Sequence, residues 1–246
     1  MRTLLGDLRF AFRLLARDRA FAATTILTLM LCVGANAVVF TVVRSVLMRP
    51  LPYAEPDRLV FSYDAFPGAG VNRAGTSVPN YLDRLAFTDV FESQALYRMA
   101  GVEVGVAGSA ERVRAMQVTP SFFRVLKVSP LRGRAFSESE GTPGQNRAAV
   151  LDYGYAQAAF GGHDAALGHE MSIDGVTYTV VGIMPKSFAF LDPDVRIWLP
   201  LAFSDDERAE ERRYSQNHAE VARLAPGATL AQAQQRVDAL NARSME

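Results

Sequence analysis

One uninterrupted apolar segment near the N-terminus constrains this chain more than any other feature. It runs from Ala20 to Val43 with an arginine at each end, and it contains no Asp, Glu, Lys, Arg or Pro. At about 24 residues it exceeds the roughly 20 that a helix needs to cross a bilayer. No later segment repeats it. The sequence therefore predicts one membrane-spanning helix followed by a large water-facing region.

Two other interpretations of this segment stay open. A buried core helix is one, although core helices rarely run this far without a charged residue. A cleavable signal peptide is the other, because Ala35-Asn36-Ala37 resembles a cleavage site after a short apolar stretch. The apolar character continues past that tripeptide to Val43, whereas a signal peptide ends its apolar region before the cleavage point. A membrane span is therefore the preferred interpretation.

The arginines around the span are unequally distributed, which predicts its orientation. Close to its C-terminal end lie only Arg44 and Arg49. Positively charged residues stay on the cytoplasmic side, so we expect a cytoplasmic N-terminus and residues from about 44 onward outside. In a bacterial inner membrane, outside means the periplasm. The arginines before the span are Arg2, Arg9, Arg13, Arg17 and Arg19.

The residues before the span, 1–19, have a helical pattern of their own. Between Thr3 and Ala16, leucine and phenylalanine recur at helical spacing while arginines occupy the other faces. A basic amphipathic helix beside a span usually lies in the cytoplasmic interface of the membrane. The alternative is a simple extension of the spanning helix. The first interpretation offers a surface on which a cytoplasmic partner could act.

Composition limits the partners and the bonds that the chain can use. The 26 basic and 26 acidic residues give a net charge of zero. Nucleic acid is therefore disfavoured as a partner, since no basic excess is present to neutralise phosphates. The single cysteine, Cys32, lies inside the apolar segment and excludes an intrachain disulfide. A hydrophobic core must hold the outer region together.

Beyond the span, the pattern predicts a mixed α+β region. Pro50-Leu51-Pro52 forbids continuation of the helix. Met171 to Met184 is predicted to be a hairpin that turns at Asp174-Gly175. Loops are expected at Pro67–Thr76 and Glu138–Gln145. The other predicted strands are Leu59–Tyr63, Gly101–Gly108, Ala148–Leu151, Val195–Leu201 and Asn217–Leu224. The predicted helices are Val78–Tyr97 (with a possible break near Thr88), a short helix capped by Ser121 that buries Phe122, Phe123 and Leu126, and Tyr153–Phe160, which ends at Gly161-Gly162.

The C-terminal segment is predicted to be an amphipathic helix. Thr229 and Gln232 form a capping box, in which each side chain satisfies a backbone N–H at the helix start. A strand–helix pair near 59–97 and another near 217–242 flank the middle of the chain. The predicted architecture is therefore one α/β domain split by an inserted lobe. The apolar stripe of this helix is Leu230, Ala233, Val237 and Leu240.

Chemistry-bearing motifs are scarce, so we predict no enzyme activity and no catalytic, cofactor-binding or metal-binding residue. His163, His169 and His218 are the only histidines, and none has ligand spacing with a Cys or Glu. Each is expected at the surface. The sequence contains no phosphate-binding loop, dinucleotide fingerprint or nucleophile elbow. The acidic residues of 205–211, with the neighbouring arginines up to Arg213, are typical of a solvated helical face.

Several stretches, taken in order, resemble the N-terminal part of MacB/FtsX-type ABC transporter permeases. Each is weakly specific alone, but the ordered set covers nearly the whole chain. The version with Arg-Pro-Leu-Pro-Tyr after the span resembles the large duplicated permeases without a fused ATPase. Besides the basic helix and the span, the stretches are Val46–Tyr53, Val118–Phe123, Pro130–Phe136, Val180–Pro185 and Ala222–Leu230.

The resemblance implies a MacB-like periplasmic core domain at 44–246, with a porter-like part at 54–100 and 214–246 and an inserted lobe at 101–213. It also implies a lipid bilayer, further permease helices and a separate cytoplasmic ABC ATPase as partners. Export or mechanical work in the envelope would be the function. The family has later spans that this sequence lacks, so a fragment of a longer permease is expected. The alternative is a single-span periplasmic binding or scaffold protein without an ATPase partner.

Overall fold

The computed structural model describes residues 10, 17, 19–46, 53–66, 68, 70–106 and 109–243. The chain divides into two compact units, residues 1–51 and residues 52–246, and we call the latter the core unit. The Pro50-Leu51-Pro52 segment, predicted to stop the helix, lies outside the described residues. So does all of the predicted Thr3–Ala16 helix except Phe10.

Helix α1 extends over Arg19–Val46 and contains the predicted apolar segment. Its portion Arg19–Thr41 has a mean hydropathy of 2.0, is not buried, and is long and apolar enough to cross a membrane. The polar side chains of α1 bond within the helix. The amide of Asn36 donates to the Cys32 carbonyl at 3.0 Å, and Thr24, Thr28 and Thr41 likewise donate to the carbonyl four residues earlier. Such internal pairing suits an apolar environment, where polar groups must be satisfied.

The core unit is a mixed α/β structure. Its described strands are β1 Leu59–Ser62, β2 Asp64–Phe66, β3 Val71–Ala74, β4 Phe91–Val106, β5 Ser109–Val118, β6 Arg132–Gly133, β7 Ala148–Leu151, β8 Glu170–Ile173, β9 Val176–Ile183, β10 Ile197–Pro200 and β11 Ala219–Leu224. Its described α-helices are α2 Val78–Arg84, α3 Phe122–Leu126, α4 Tyr153–Phe160, α5 His163–Ala166, α6 Asp205–Arg208 and α7 Leu230–Arg243. Short 3-10 helices occur at Pro56–Arg58, Glu138–Gly141 and Glu210–Arg212.

One large sheet organises the core unit. Its strand order is β1-β11-β4-β5-β10-β7-β9-β6, and β8 pairs with both β4 and β9. The long antiparallel hairpin of β4 and β5 pairs from Tyr97↔Val118 to Val106↔Ser109. Two pairs are parallel, β5 with β10 and β7 with β9. The strands β2 and β3 form a separate two-stranded ribbon.

The sheet buries apolar side chains on both faces, because successive residues of a strand point to opposite sides. In β10, Trp198 packs in one core cluster, whereas Ile197 and Leu199 pack in the other. In β5, Met116 and Ala115 divide in the same way. The first cluster is rich in rings: Phe122, Phe123, Phe136, Phe188, Phe190 and Trp198. The second includes Tyr155 and Ala156 of α4 and Ala166 of α5.

Several local predictions are confirmed. The hairpin of β8 and β9 turns at Asp174-Gly175, where both residues have positive φ, as a tight two-residue turn requires. Helix α4 covers the predicted residues 153–160, and Gly161 ends it at φ 71°. The strand β7 also has the predicted bounds. These segments share strong local signals, namely turn dipeptides, caps and short apolar runs.

The predicted helix Val78–Tyr97 is wrong beyond its first turns. Helix α2 ends at Arg84, and residues from Phe91 onward form β4. Pairing with β11 on one side and β5 on the other outweighs the helical propensity of this stretch, since strand formation depends on tertiary context. The strand β5 was missed, and the predicted loop 67–76 contains β3.

Two finer predictions also need correction. Ser121 does not cap α3 with its side chain; its hydroxyl instead donates to the Gln94 carbonyl at 2.6 Å.

In α7 the capping box of Thr229 and Gln232 is confirmed, with N···O distances of 2.8 and 3.3 Å. Of the predicted apolar stripe, Ala233 is buried and Val237 and Leu240 pack against Phe87, Val90, Phe91 and Leu224. Leu230 is 61% exposed, because it lies at the helix start outside that contact.

The division into a porter-like part and an inserted lobe stays a prediction. The boundary after residue 100 falls inside β4, which pairs with β11 near its start and with β8 near its end. The predicted association of the two flanking segments has support, because β1 and β4 both pair with β11. The last helix, α7, packs against residues of both flanking segments.

Candidate functional site

A buried ion cluster around Arg84 is the most concentrated polar site of the core unit. Its guanidinium group donates to Asp64 at 2.9 Å, to Glu220 at 2.6 Å and to the Thr76 hydroxyl at 3.1 Å. Arg84 and Glu220 are each 1% exposed. Two carboxylates thus share one guanidinium group away from solvent. Charge-assisted hydrogen bonds of this kind are stronger than neutral ones.

The chain assembles this cluster from segments that are far apart in sequence. Asp64 lies in β2, Arg84 in the last turn of α2, and Glu220 in β11, near the other end of the core unit. The Thr76 N–H donates to the His218 carbonyl at 2.7 Å and joins the same segments through the backbone. A Cβ on Gly75 would lie 2.3 Å from the Gln216 carbonyl oxygen, so glycine permits this close approach. The cluster therefore fastens the first part of the core unit to its last strand.

The electrostatics of the cluster follow from its surplus carboxylate. Burial raises the pKa of Glu220, and the nearby Arg84 only partly opposes this effect. Burial alone would lower the pKa of Arg84, but Glu220 and Asp64 outweigh it and raise the pKa. Among the described residues, no hydrogen-bond partner faces Glu220 Oε1. The nearby Asp64 also raises the pKa of Glu220, because two like charges disfavour each other's ionised form.

His218 lies beside this cluster and is buried, contrary to the expected surface position. Its ring is 6% exposed and meets Phe203 edge-on at 6.0 Å. Neither ring nitrogen has a hydrogen-bond partner among the described residues. Burial, together with the charge of Arg98, lowers the pKa of His218 to about 4, and Glu207 opposes the shift. The ring is therefore neutral near pH 7 and acts as an apolar packing element.

The other two histidines have ordinary environments. The rings of His163 and Tyr153 contact each other at a tilt of 44° with centroids 4.1 Å apart, and His163 Nε2 lies 3.2 Å from the Tyr153 carbonyl oxygen. His169 is exposed and meets Phe160 edge-on at 5.1 Å. Among the residues that the structure describes, no three His, Cys, Asp or Glu side chains are placed to hold a metal ion.

The acidic residues around α6 partly fit the predicted solvated face. Asp206 and Arg212 pair at 2.6 Å with both side chains more than half exposed. Arg213 differs, because it is largely buried and donates to Asn80 and Asp83 of α2, at 2.7 Å each. A hydrogen bond with Glu210 is the main cause of its raised pKa. This arginine therefore fastens the segment after α6 to α2.

A second polar cluster, around Arg223 and Arg58, was not predicted. Arg223 is fully buried in β11 and donates to the carbonyls of Val125, at 2.7 Å, and Glu55, at 3.1 Å. Arg58 donates to the Leu224 carbonyl at 3.0 Å and pairs with Glu55. Arginine is usually exposed, so the sequence does not indicate that Arg223 is buried. Its bonds to the two carbonyls become visible only in the folded structure.

Both clusters connect segments that are far apart in the sequence. One guanidinium nitrogen of Arg84 bonds to Glu220 Oε2, and Arg223 donates to backbone carbonyls. The grooves that the structure shows are shallow surface features. A groove of about 570 Å³ runs between the turn at Asp89 and α7. The two clusters therefore hold distant segments of the core unit together.

The comparisons with known proteins agree on the fold. The family described as MacB-like periplasmic core domain matches residues 22–240. No curated protein matches the chain at a significant level. The periplasmic region of MacB from Actinobacillus actinomycetemcomitans superposes with a TM-score of 0.53 at 13% identity, over 74% of this chain and 80% of that one.

Two further solved structures are similar. A domain assigned as a permease protein from Porphyromonas gingivalis superposes with a TM-score of 0.52 at 14% identity, over 76% of this chain and 84% of that one. The extracellular domain of the noncanonic ABC-type transporter YknZ from Gram-positive bacteria gives 0.48 at 13% identity, over 72% and 86%. The periplasmic region of MacB and the Porphyromonas gingivalis domain share the fold of this chain. Because the family match covers most of the chain, including most of α1, this chain belongs to the family of MacB-like periplasmic core domains.

Proposed function

We propose that this chain is the membrane-anchored periplasmic core of an ABC-type permease, which couples a separate cytoplasmic ATPase to export or mechanical work in the envelope. Helix α1 anchors it in the inner membrane with the N-terminus in the cytoplasm. The core unit lies in the periplasm and transmits movement to a substrate or periplasmic partner. The chain itself does not hydrolyse ATP.

The family match over residues 22–240 is the observation that carries this proposal. It joins most of the apolar helix and the core unit in one family, which favours a span as the function of α1. The arginines before the span support the orientation. A separate ATPase is invoked because the sequence contains no phosphate-binding loop. The two polar clusters support a mechanical role, since they hold distant segments together in a unit that can move as one.

A single-span binding or scaffold protein without an ATPase partner is the second candidate. It requires the same anchor and the same core unit. It differs in having no cytoplasmic contact that depends on ATP. An anchored hydrolase has no support in the sequence, which shows no nucleophile with a matching base.

Site-specific crosslinking in living cells tests the coupling. A photo-reactive amino acid at Arg9 or Arg13, in the segment before the span, is expected to capture a subunit that mass spectrometry identifies as an ABC ATPase. The same probe at Glu138, an exposed residue of the core unit, serves as the matched control and is expected not to capture it. Absence of an ATPase from both cytoplasmic positions, with the chain correctly inserted, would favour the scaffold alternative.

A further inference from the structure

The segment through which the chain enters the core unit is bonded to several other parts of that unit. It consists of residues 53–58, which we call the entry strap. The hydroxyl of Tyr53 donates to the carbonyl of Ala189. At the other end of the strap, Arg58 Nε donates to the Leu224 carbonyl at 3.0 Å. The strap is therefore held at both of its ends before β1 begins.

Glu55, in the middle of the strap, is bonded through both its backbone and its side chain. Its carbonyl accepts a hydrogen bond from Arg223 Nη1 at 3.1 Å, and its carboxylate accepts one from Lys127 Nζ at 2.8 Å. Arg223 is fully buried in β11, where its Nε also donates to the Val125 carbonyl at 2.7 Å. Glu55 is thus joined to β11 and to the C-terminal end of α3.

The backbone shows how firmly this contact is fixed. Glu55 has φ 51° and Lys127 has φ 52°, so both partners of the ion pair lie in the left-handed region. Residues with a Cβ rarely adopt this conformation, and they keep it only where the surrounding contacts impose it. Neither position is a glycine, which would adopt the conformation freely. The strap is therefore docked in one defined geometry.

The charges around the strap form a network instead of one isolated pair. Glu55 also pairs with Arg58, and Glu92 of β4 pairs with Arg58 and, at 3.5 Å, with Lys127. Each carboxylate thus faces two cations. Lys127, followed by Arg58, lowers the pKa of Glu55, so this carboxylate is ionised near pH 7. Several charges in one network hold a position better than an isolated exposed pair does.

The position of the strap in the chain determines what it does under load. Residues 47–52 connect α1 to it covalently, so a pull on α1 reaches the strap before any other part of the core unit, whatever the arrangement of the two units. Without the strap bonds, the pull would fall on β1, a four-residue strand at the edge of the sheet. With them, the pull passes to β11, which is paired on both sides, with β1 and with β4.

We propose that the entry strap is the load-bearing joint of the core unit, which passes the pull of α1 into β11 and keeps that pull off the edge strand β1. Glu55, Lys127 and Arg223 are its positioning residues. This inference rests on the proposed function, in which an ATPase drives movement of the anchored chain. It adds to that function the place where the movement enters the core unit.

Single-molecule pulling on the full chain in lipid nanodiscs tests the joint. Cys32→Ala removes the only native cysteine, and Pro52→Cys and Asp164→Cys carry the two handles, since the Asp164 side chain is 89% exposed. We expect the strap of the otherwise unmodified chain to hold until the sheet unfolds. In Arg223→Met we expect an earlier, separate extension at several-fold lower force. Its length should be at most about 20 Å, because six released residues reach no further.

Lys127→Met repeats the test at the surface, in case the buried Arg223→Met variant does not fold, which the fluorescence of Trp198 reports. It should also release the strap early, and Lys127→Arg should restore the holding force. Arg124→Met is the matched control, because it removes a basic residue three positions earlier whose partner, Glu138, lies outside the strap. We expect this control to hold like the unmodified chain.

A short extension at low force in the unmodified chain would overturn the inference, and so would equal traces for Lys127→Met and Arg124→Met. These outcomes do not depend on an ATPase, because the handles supply the pull. Failure of the proposed function is read separately, from the absence of an ATPase at the crosslinking positions Arg9 and Arg13. A strap that holds while no ATPase is captured supports the joint and counts against the coupling.

Discussion

At the scale of single residues, Arg84 is the charged side chain whose loss should damage the fold most. Replacing it with methionine would leave Asp64 and Glu220 as buried carboxylates without a cation. Breaking a buried ion pair by removing one partner typically costs about 3–5 kcal/mol, a large part of the 5–15 kcal/mol that stabilises most domains. We expect Arg84→Met to lower the free energy of unfolding by about that amount.

Fluorescence of Trp198 during urea unfolding measures this loss, because this buried residue is the only tryptophan and lies in the core unit. Arg124→Met is the matched control. Arg124 pairs with Glu138 at 2.9 Å, but both side chains are more than 60% exposed. Exposed pairs contribute at most about 1 kcal/mol. Equal losses in the two variants would refute the special role of the buried cluster.

His218 should make stability depend on pH. Its folded-state pKa of about 4 lies below the ordinary value of 6.5, so the unfolded chain binds protons more readily between these values. The contribution of the neutral ring is fully present above pH 6.5 and is lost as the pH falls toward 4. We expect the stability difference between the wild type and His218→Phe to shift in favour of the variant over this range.

Urea unfolding at several pH values, followed by the fluorescence of Trp198, measures that difference. Comparing the two proteins at each pH cancels most contributions from other groups, including that of Glu220. The phenylalanine keeps a ring against Phe203 and cannot titrate. A constant difference from pH 7 to pH 4 would show that the His218 ring titrates as freely in the folded state as in the unfolded chain.

Sequence reasoning at this scale succeeded where a side chain acts locally and failed where it acts at a distance. The capping pair Thr229 and Gln232 was identified because its partners lie three residues apart. The partners Arg84 and Glu220 are separated by 136 positions, and nothing in their local sequence indicates that they meet. His218 was expected at the surface for the same reason, because its burial depends on Phe203 and on the bridge to Thr76.

At the scale of elements, α7 is fixed to the core unit by one side only. Ala233 is 3% exposed, whereas Ala231, two residues earlier, faces solvent. Ala233→Asp would bury a charge without a partner, and burying even an unpaired polar group costs several kcal/mol. We expect this variant to lower the unfolding midpoint strongly and Ala231→Asp to leave it nearly unchanged. At the exposed position 231, an acidic side chain in the first turn of α7 interacts favourably with the helix dipole.

Thermal unfolding followed by the fluorescence of Trp198 compares these two variants. The substitution is chemically identical and the positions are in the same first turn, so burial is the only intended difference. If Ala233→Asp melts like the wild type, α7 does not contribute to the core. The grouping of the first and last segments of the core unit would then rest on the pairing of β1 and β4 with β11 alone.

The elements themselves were predictable to different degrees. Strands next to tight turns, such as β8 and β9 around Asp174-Gly175, follow from local chemistry. The sequence of β4 has strong helix formers in its first half, and only the ladders with β11 and β5 make it a strand. The strand β5 alternates charged and apolar residues weakly, and it was missed. Long hairpins depend on pairing that a single sequence does not display.

At the scale of the whole molecule, the predicted family and architecture agree with the structure. The resemblance of ordered motifs to MacB/FtsX-type permeases is confirmed by the family match over residues 22–240. The predicted mixed α/β core with one N-terminal apolar helix is confirmed as well.

The orientation of the chain is the prediction on which its role in the envelope depends. The five arginines before the span, against two close behind it, predict a cytoplasmic N-terminus. Alkaline phosphatase folds only outside the cytoplasm, and green fluorescent protein exported in unfolded form does not fluoresce there. Fusions after Glu246 should therefore show high phosphatase activity and no fluorescence.

The arginines themselves supply the control for this experiment. Replacing Arg9, Arg13 and Arg17 with glutamine leaves two arginines on each side of the span, so we expect a mixed orientation with reduced phosphatase activity. Replacing Arg44 and Arg49 instead should leave the activity high, because those changes increase the difference. Fluorescence without phosphatase activity in the unmodified chain would place the core unit in the cytoplasm. The proposed coupling of a cytoplasmic ATPase to periplasmic movement would then be untenable.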